Sequence, residues 1–278
     1  MTISEQQIKE FSNKNINTLG NGVDIDVLYK YWPYNTVLDV LKNKELVFVN
    51  PAYWENSFEK IYLDTDYTEL GFKQPKIYSI CFSTTIENEQ TDWKIYSKNN
   101  HTLRCQINID VLLEILSEFA EKNGFLVYMG KTNYDLSKTE IQSLHLPKGK
   151  YFNKYFDDFS VEKYLEIMLL KPKTLKHENE FRIFIVPKPR KKYIKGMLKI
   201  PIPDEKFQLL FSNFTIQEFE VKFTDDYSRL GFEISINESI KKSWAEKIKL
   251  LYNNASVENY IQFKNHKPIK KITLKSRK

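Results

Sequence analysis

Apolar and polar residues alternate along this chain in short runs, broken by a few stretches with helical spacing. Val27 to Tyr31 reads as a strand, and Val37, Leu38, Val40 and Leu41 recur as a helix face behind Asn35 or Thr36 as cap. Leu46 to Val49 is a second strand, ended by Asn50 and Pro51. Ile77 to Phe82 and Thr102 to Ile107 are further strands, with a helical turn at Asp92 to Tyr96 between them. Asn108 or Asp110 caps a helix over Val111 to Lys122, Gly124 ends it, and Phe125 to Met129 returns as a strand. Val161 to Leu170 has helical spacing, and Phe181 to Val186 is a continuous apolar run. Leu198 to Ile202, Ile216 to Phe223 and Phe232 to Ile236 read as later strands. A last helix over Ser239 to Tyr252 carries Ile240, Trp244, Ile248 and Leu251 on one side. Strands and helices do not alternate regularly. The expected fold is therefore α+β, with mixed or antiparallel central sheets and flanking helices.

Composition sets the scale of that fold. A chain of 278 residues, 41% hydrophobic, can bury a sizeable core. Residues 1–26 read as an N-terminal extension, 27–263 as a single domain with a polar, lysine-rich insertion near 130–158, and 264–278 as a basic tail. The insertion reads as a lid or a flexible segment. The net charge of +6 permits an anionic partner without demanding one. Two cysteines, Cys81 and Cys105, make no disulfide framework and fit a reduced interior. The four histidines are scattered and no metal is expected. No basic-then-apolar leader opens the chain, and no apolar stretch approaches the ~20 residues that cross a bilayer. A cytoplasmic protein with no membrane partner is the expectation.

The most suggestive chemistry is at His177-Glu178-Asn179-Glu180-Phe181-Arg182. On a strand, Glu178, Glu180 and Arg182 share one face, while Phe181, Ile183 and Ile185 share the other. Arg182 would keep a neighbouring buried carboxylate charged. A fixed carboxylate can orient a hydroxyl or stabilise a developing cation, which makes Glu180 and Glu178 the candidate catalytic pair. A surface ladder in which Arg182 neutralises Glu180 accounts for the same pattern.

Four other segments offer polar groups beside aromatic ones. In Tyr29-Lys30-Tyr31, Lys30 and Tyr31 are candidate ligand contacts, or the aromatics pack a core. Asn56-Ser57-Phe58-Glu59 reads as a capping box or, with Trp54, as a pocket rim. Cys81-Phe82-Ser83-Thr84-Thr85 is a strand end followed by hydroxyls, where Ser83 and Thr84 can meet ribose or phosphate oxygens. Cys81 reads as a small buried hydrophobe. Trp93, Tyr96, Asn100 and Arg104 frame a planar ligand or fill a core.

In order, these segments resemble a widespread bacterial family, the domain of unknown function 2971 family, over about residues 27–186. The resemblance is carried by Tyr29-Lys30-Tyr31, Asn50-Pro51, Asn56-Ser57-Phe58-Glu59, Cys81-Phe82-Ser83, Trp93 with Tyr96, and Glu178-Asn179-Glu180-Phe181-Arg182. Ser57 stands where the family has Asp, a usual Pro is absent, and a Trp before the glutamate pair is missing. A weaker likeness is to ADP-ribosyltransferases, with Lys30 or Tyr31 on a first strand, Ser83-Thr84-Thr85 on a second and Glu178-x-Glu180 on a third. That likeness implies NAD as substrate. Glu180 would hold the ribose and assist cleavage of the nicotinamide bond, and Glu178 would face the target. Trp93, Tyr96 and Arg182 join Lys30, Tyr31, Ser83 and Thr84 as candidate NAD contacts. It further implies an intracellular defence or toxin effector that modifies nucleic acid or a protein acceptor.

A different class remains open. Lys188, Arg190, Lys191, Lys192 and Lys195, with Lys270, Lys271, Lys275, Arg277 and Lys278, could contact phosphate in a nucleic-acid-binding protein or nuclease. As a solvated turn and tail they would do nothing of the kind. A metal-dependent nuclease would have only Glu59, Glu178 and Glu180 as ligands. A non-enzymatic ligand sensor is the third class.

Overall fold

The structure, a computed structural model, describes residues 15–20, 25, 27–54, 63–65, 67–68, 72–85, 102–143, 160–189, 196–216, 259–263 and 270–274. In chain order the elements begin with β1 (Ile16–Thr18), β2 (Leu28–Pro33), α1 (Tyr34–Asn43), β3 (Glu45–Val49), β4 (Tyr78–Ser83) and β5 (Thr102–Ile107). Next come α2 (Ile109–Asn123), β6 (Phe125–Lys131), β7 (Asn133–Leu136), α3 (Lys138–Ser143), α4 (Val161–Ile167) and β8 (Leu170–Pro172). The last are β9 (Glu180–Pro187), β10 (Met197–Pro201), α5 (Asp204–Leu210), β11 (Phe211–Ile216), β12 (Asn259–Phe263) and β13 (Lys270–Leu274). The fold is α+β, with helices and a mixed, largely antiparallel sheet.

Two compact units divide the chain. One comprises residues 1–26, 47–84 and 113–200; the other comprises 27–46, 85–112 and 201–278. In the first, β6 pairs parallel with β1 and antiparallel with β9, and β9 pairs antiparallel with β4. Strand β9 is thus central, and both of its faces are buried. Phe181, Ile183 and Ile185 point one way and are sealed from solvent. On the opposite face, Phe184 and Val186 pack with Tyr128, Tyr164, Leu165, Met168 and Leu169 in one apolar cluster. In the second unit β2 and β11 flank β5 antiparallel, and β12 joins β11 parallel and β13 antiparallel.

Local chemistry explains most element ends, and it corrects several expectations. Helix α1 starts two or three residues earlier than expected. Its cap position is Pro33, whose side chain makes no capping bond, so Asn35 and Thr36 lie inside the helix. Lys44 ends it in the left-handed region (φ 51°) with its N–H on the Val40 carbonyl. At α2 the cap is Asn108, whose Oδ1 accepts from the N–H groups of Asp110 and Val111; Asp110 sits within the first turn. Helix α4 stops at Ile167 because Leu170 leaves to pair with Asn133 on β7.

The polar interval after Gly130 carries regular structure. Its first part forms β7 and α3, and Leu136 and Ile141 are buried. Within the basic C-terminal segment, residues 270–274 form strand β13. The strand near Ile216 runs Phe211–Ile216. Glu178 ends a 3-10 helix (Lys173–Glu178) rather than starting the strand, because Asn179 turns the backbone left-handed (φ 41°) and β9 begins at Glu180. The expected elements at Asn56–Glu59, Asp92–Tyr96, Phe232–Ile236 and Ser239–Tyr252 lie outside the described residues.

Candidate functional site

Period-two geometry places Glu180, Arg182, Phe184 and Val186 on one face of β9. Register fixes their neighbours. Glu180 lies opposite Ser83, Arg182 opposite Cys81 on one side and Gly130 on the other, and Phe184 opposite Tyr128. The residues beside Arg182 are small, and they leave room for what descends on it. A Cβ at Gly130 would meet Leu169 Cδ1 at 2.5 Å and the Leu19 carbonyl oxygen at 3.1 Å. The missing side chain therefore lets the Met168–Leu169 turn close onto the sheet. From there the Met168 carbonyl accepts from Arg182 Nη1 at 2.5 Å.

The guanidinium has two further neighbours. Its Nη2 donates to Glu180 Oε2 at 2.8 Å, and the Trp54 ring lies 4.7 Å from the guanidinium carbon. Lys171, delivered by β8, donates to Glu178 Oε2 and stands 2.8 Å from Glu180 Oε2. Two carboxylates and two cations thus close into a neutral cluster. Arg182 is 0% exposed, Lys171 5% and Glu180 7%. Charges this deep are tolerated because each has an oppositely charged partner.

The backbone around Glu180 is also held. Its N–H donates to the Tyr134 hydroxyl at 2.9 Å, and its carbonyl accepts from Thr132 N–H at 2.9 Å. Thr84 donates through N–H and Oγ1 to the Asn179 carbonyl, at 2.9 and 3.1 Å. Burial works against ionisation of Glu180, but Arg182, Lys171 and the Cys81 thiol outweigh it and hold the carboxyl well below the usual carboxylate range. Burial likewise holds the Tyr134 hydroxyl above its ordinary value. At neutral pH Glu180 is a fixed negative charge. It has no proton to give and cannot serve as a general acid. Lys171 and Arg182 both meet Glu180 at Oε2.

Glu178, Glu180, Arg182, Ser83 and Thr84 therefore come together within one unit. Lys30 and Tyr31 lie on β2 in the other unit, opposite Cys105 and Arg104. There Arg104 is buried, with its guanidinium carbon 5.6 Å from the Tyr29 ring. Burial pushes the Cys105 thiol up, against the opposing charge of Lys30. Trp93, Tyr96 and Asn100 lie outside the described residues. Sequence reasoning missed Lys171, Tyr134 and Gly130, and read Cys81 only as a hydrophobe. For Cys81 a signal existed: it shares a strand face with Ser83, two residues on. Nothing local distinguishes Lys171 from its lysine neighbours.

Among the described residues no group of three or more His, Cys, Asp or Glu could hold a metal, and no helix is long and apolar enough to cross a membrane. In the basic turn, Lys188 is half-buried and donates to Asn15 Oδ1 at 2.7 Å. Arg190, Lys191, Lys192 and Lys195 lie outside the described residues, as do the side chains of the C-terminal lysines. Compared with known proteins, the chain matches no family model, no curated protein and no solved structure.

Proposed function

We propose that Glu178 to Arg182 form the ribose-holding edge of an NAD-dependent ADP-ribosyltransferase, built on an ADP-ribosyltransferase-like arrangement of strands and acting in the cytoplasm as a defence or toxin effector. The observation that carries this reading is the register pairing of Ser83 with Glu180, an ionised carboxylate held at Oε2 by Arg182 and Lys171. Glu180 accepts a hydrogen bond from a ribose hydroxyl. As the bond between nicotinamide and the ribose anomeric carbon breaks, its charge opposes the positive charge building on that carbon. Nicotinamide leaves with the bonding electrons, and a nucleophile of a nucleic acid or protein acceptor forms the new bond as its proton passes to solvent. Glu178, on the preceding 3-10 helix, faces the acceptor. Arg182 and Lys171 keep Glu180 ionised and fixed, acting as positioning residues.

Nicotinamide release from NAD, and transfer of labelled ADP-ribose to protein, RNA and DNA acceptors, test the reading on the full chain. Glu180→Gln is expected to lose about 100-fold or more. Ser83→Ala, which leaves the ion pairs in place, is expected to raise KM more than it lowers kcat. Equal turnover by wild type and Glu180→Gln would sink the proposal. So would a wild-type protein that neither binds nor consumes NAD.

A further inference from the structure

At the other end of the same β9 face, the apolar residues border an open groove of about 640 Å³, well within the range of about 300–1,000 Å³ typical of small-molecule sites. Its walls include Leu126 and Val186, which are register partners on β6 and β9, together with Tyr128 and Val161. The polar groups of this wall are already engaged. The Tyr128 hydroxyl donates to Glu162, which is not a wall residue, at 2.8 Å, and Gln74 Nε2 donates to the Leu63 and Thr65 carbonyls. Three lysines, Lys73, Lys76 and Lys188, also line it, and among the described lining residues there is no carboxylate. Lys188 meets a neutral amide oxygen, which leaves its positive charge uncompensated by that bond.

We infer that this groove binds an amphipathic anion: an alkyl chain lying on Leu126, Val161 and Val186, with a carboxylate or phosphate head between the lysines. An aliphatic floor whose hydroxyl and amide are engaged offers nothing to a ligand with a polar body, whereas it favours a plain apolar chain. The charge of the described lining residues is positive, so the head is anionic. The site shares no residue with the Glu180 cluster, and its occupancy does not depend on NAD chemistry.

Calorimetric titration of the full chain below the micellar limit tests this with dodecanoate, dodecyl phosphate and dodecyltrimethylammonium. Binding of one or both anions with a negative heat-capacity change, and failure of the cation, is the expected result. The anion that binds identifies the head group. The exposed pair Lys73→Glu/Lys76→Glu is expected to weaken the anion about tenfold, and added salt to weaken it further. Val161→Trp, at a half-buried wall position, should abolish binding by filling the groove. No binding of either anion overturns the inference, as does equal binding of the cation or unchanged affinity in a folded Val161→Trp protein.

Discussion

Two ends of one strand face behave in opposite ways. At the start of β9, Glu180 and Arg182 are charged, yet both are buried, Arg182 beneath the Met168–Leu169 turn, and they are matched by Lys171 and Glu178. Toward its end, Val186 is apolar, yet it borders an open groove lined by lysines. Val186, 6% exposed, is as deeply buried as Glu180, 7% exposed, so the two ends differ in what lies beside them and not in depth. The charges are buried because four complementary groups close on one another, and removing any of them would strand a charge in a poorly solvating place. The apolar end tolerates an opening because a small patch of aliphatic surface in water costs little, and a ligand that covers it gains free energy. The sealed end is thus suited to a fixed electrostatic role, and the open end to capture of a ligand by its apolar body.

The strongest attack on this contrast is Arg182→Met. It removes the cation that Glu180, the Met168 carbonyl and Trp54 all engage. It is expected to destabilise the fold by about 3–5 kcal/mol in urea unfolding. A loss below about 1 kcal/mol would place the cluster in the class of solvated surface pairs. The same cluster has a pH signature. Because the folded Glu180 carboxyl is held low, its contribution is present above the unfolded value of about 4.3, and it is lost as pH falls below that toward the folded value. Unfolding free energy should therefore fall more steeply below pH ~4.3 in wild type than in Glu180→Gln. Parallel profiles would contradict the pairing.

The lysine bridge comes next. A double-mutant cycle of Lys171→Met and Glu178→Gln should show a coupling of about 1–3 kcal/mol. Near-zero coupling would mean that Glu178 does not belong to the cluster. Gly130 lies between the two ends, opposite Arg182 and under Leu169. Gly130→Ala is expected to cost about 1–3 kcal/mol by lifting that turn, and its effect should be non-additive with Arg182→Met. The smallest effect belongs to the groove. Lys73→Glu/Lys76→Glu should leave unfolding free energy within about 0.5 kcal/mol of wild type, since both residues are exposed. A large loss would make these lysines part of the folded framework instead of a ligand rim.

Much of this was written into local pattern. Alternation predicted β4, β5, β6 and the two faces of β9, and helical spacing predicted α2 together with Asn108 as one candidate cap and Gly124 as its end. Those signals are local because pleat and helix period act over a few residues. Placing Glu180 and Arg182 on one face needed nothing more. Other features were decided only by tertiary structure. The left-handed turn at Asn179 takes Glu178 off the strand, yet both carboxylates still meet Lys171 because β8 brings that lysine across. Tyr134 reaches the Glu180 N–H from a segment that reads as polar insertion, 46 residues away in sequence. Gly130 becomes informative only once Leu169 is seen to occupy its side-chain space. Burial of a charge depends on partners that arrive from elsewhere in the chain, and no local period encodes that arrival. The sequence by itself determined which side chains share a face. Packing decided which end of that face closed over its charges and which end borders a groove.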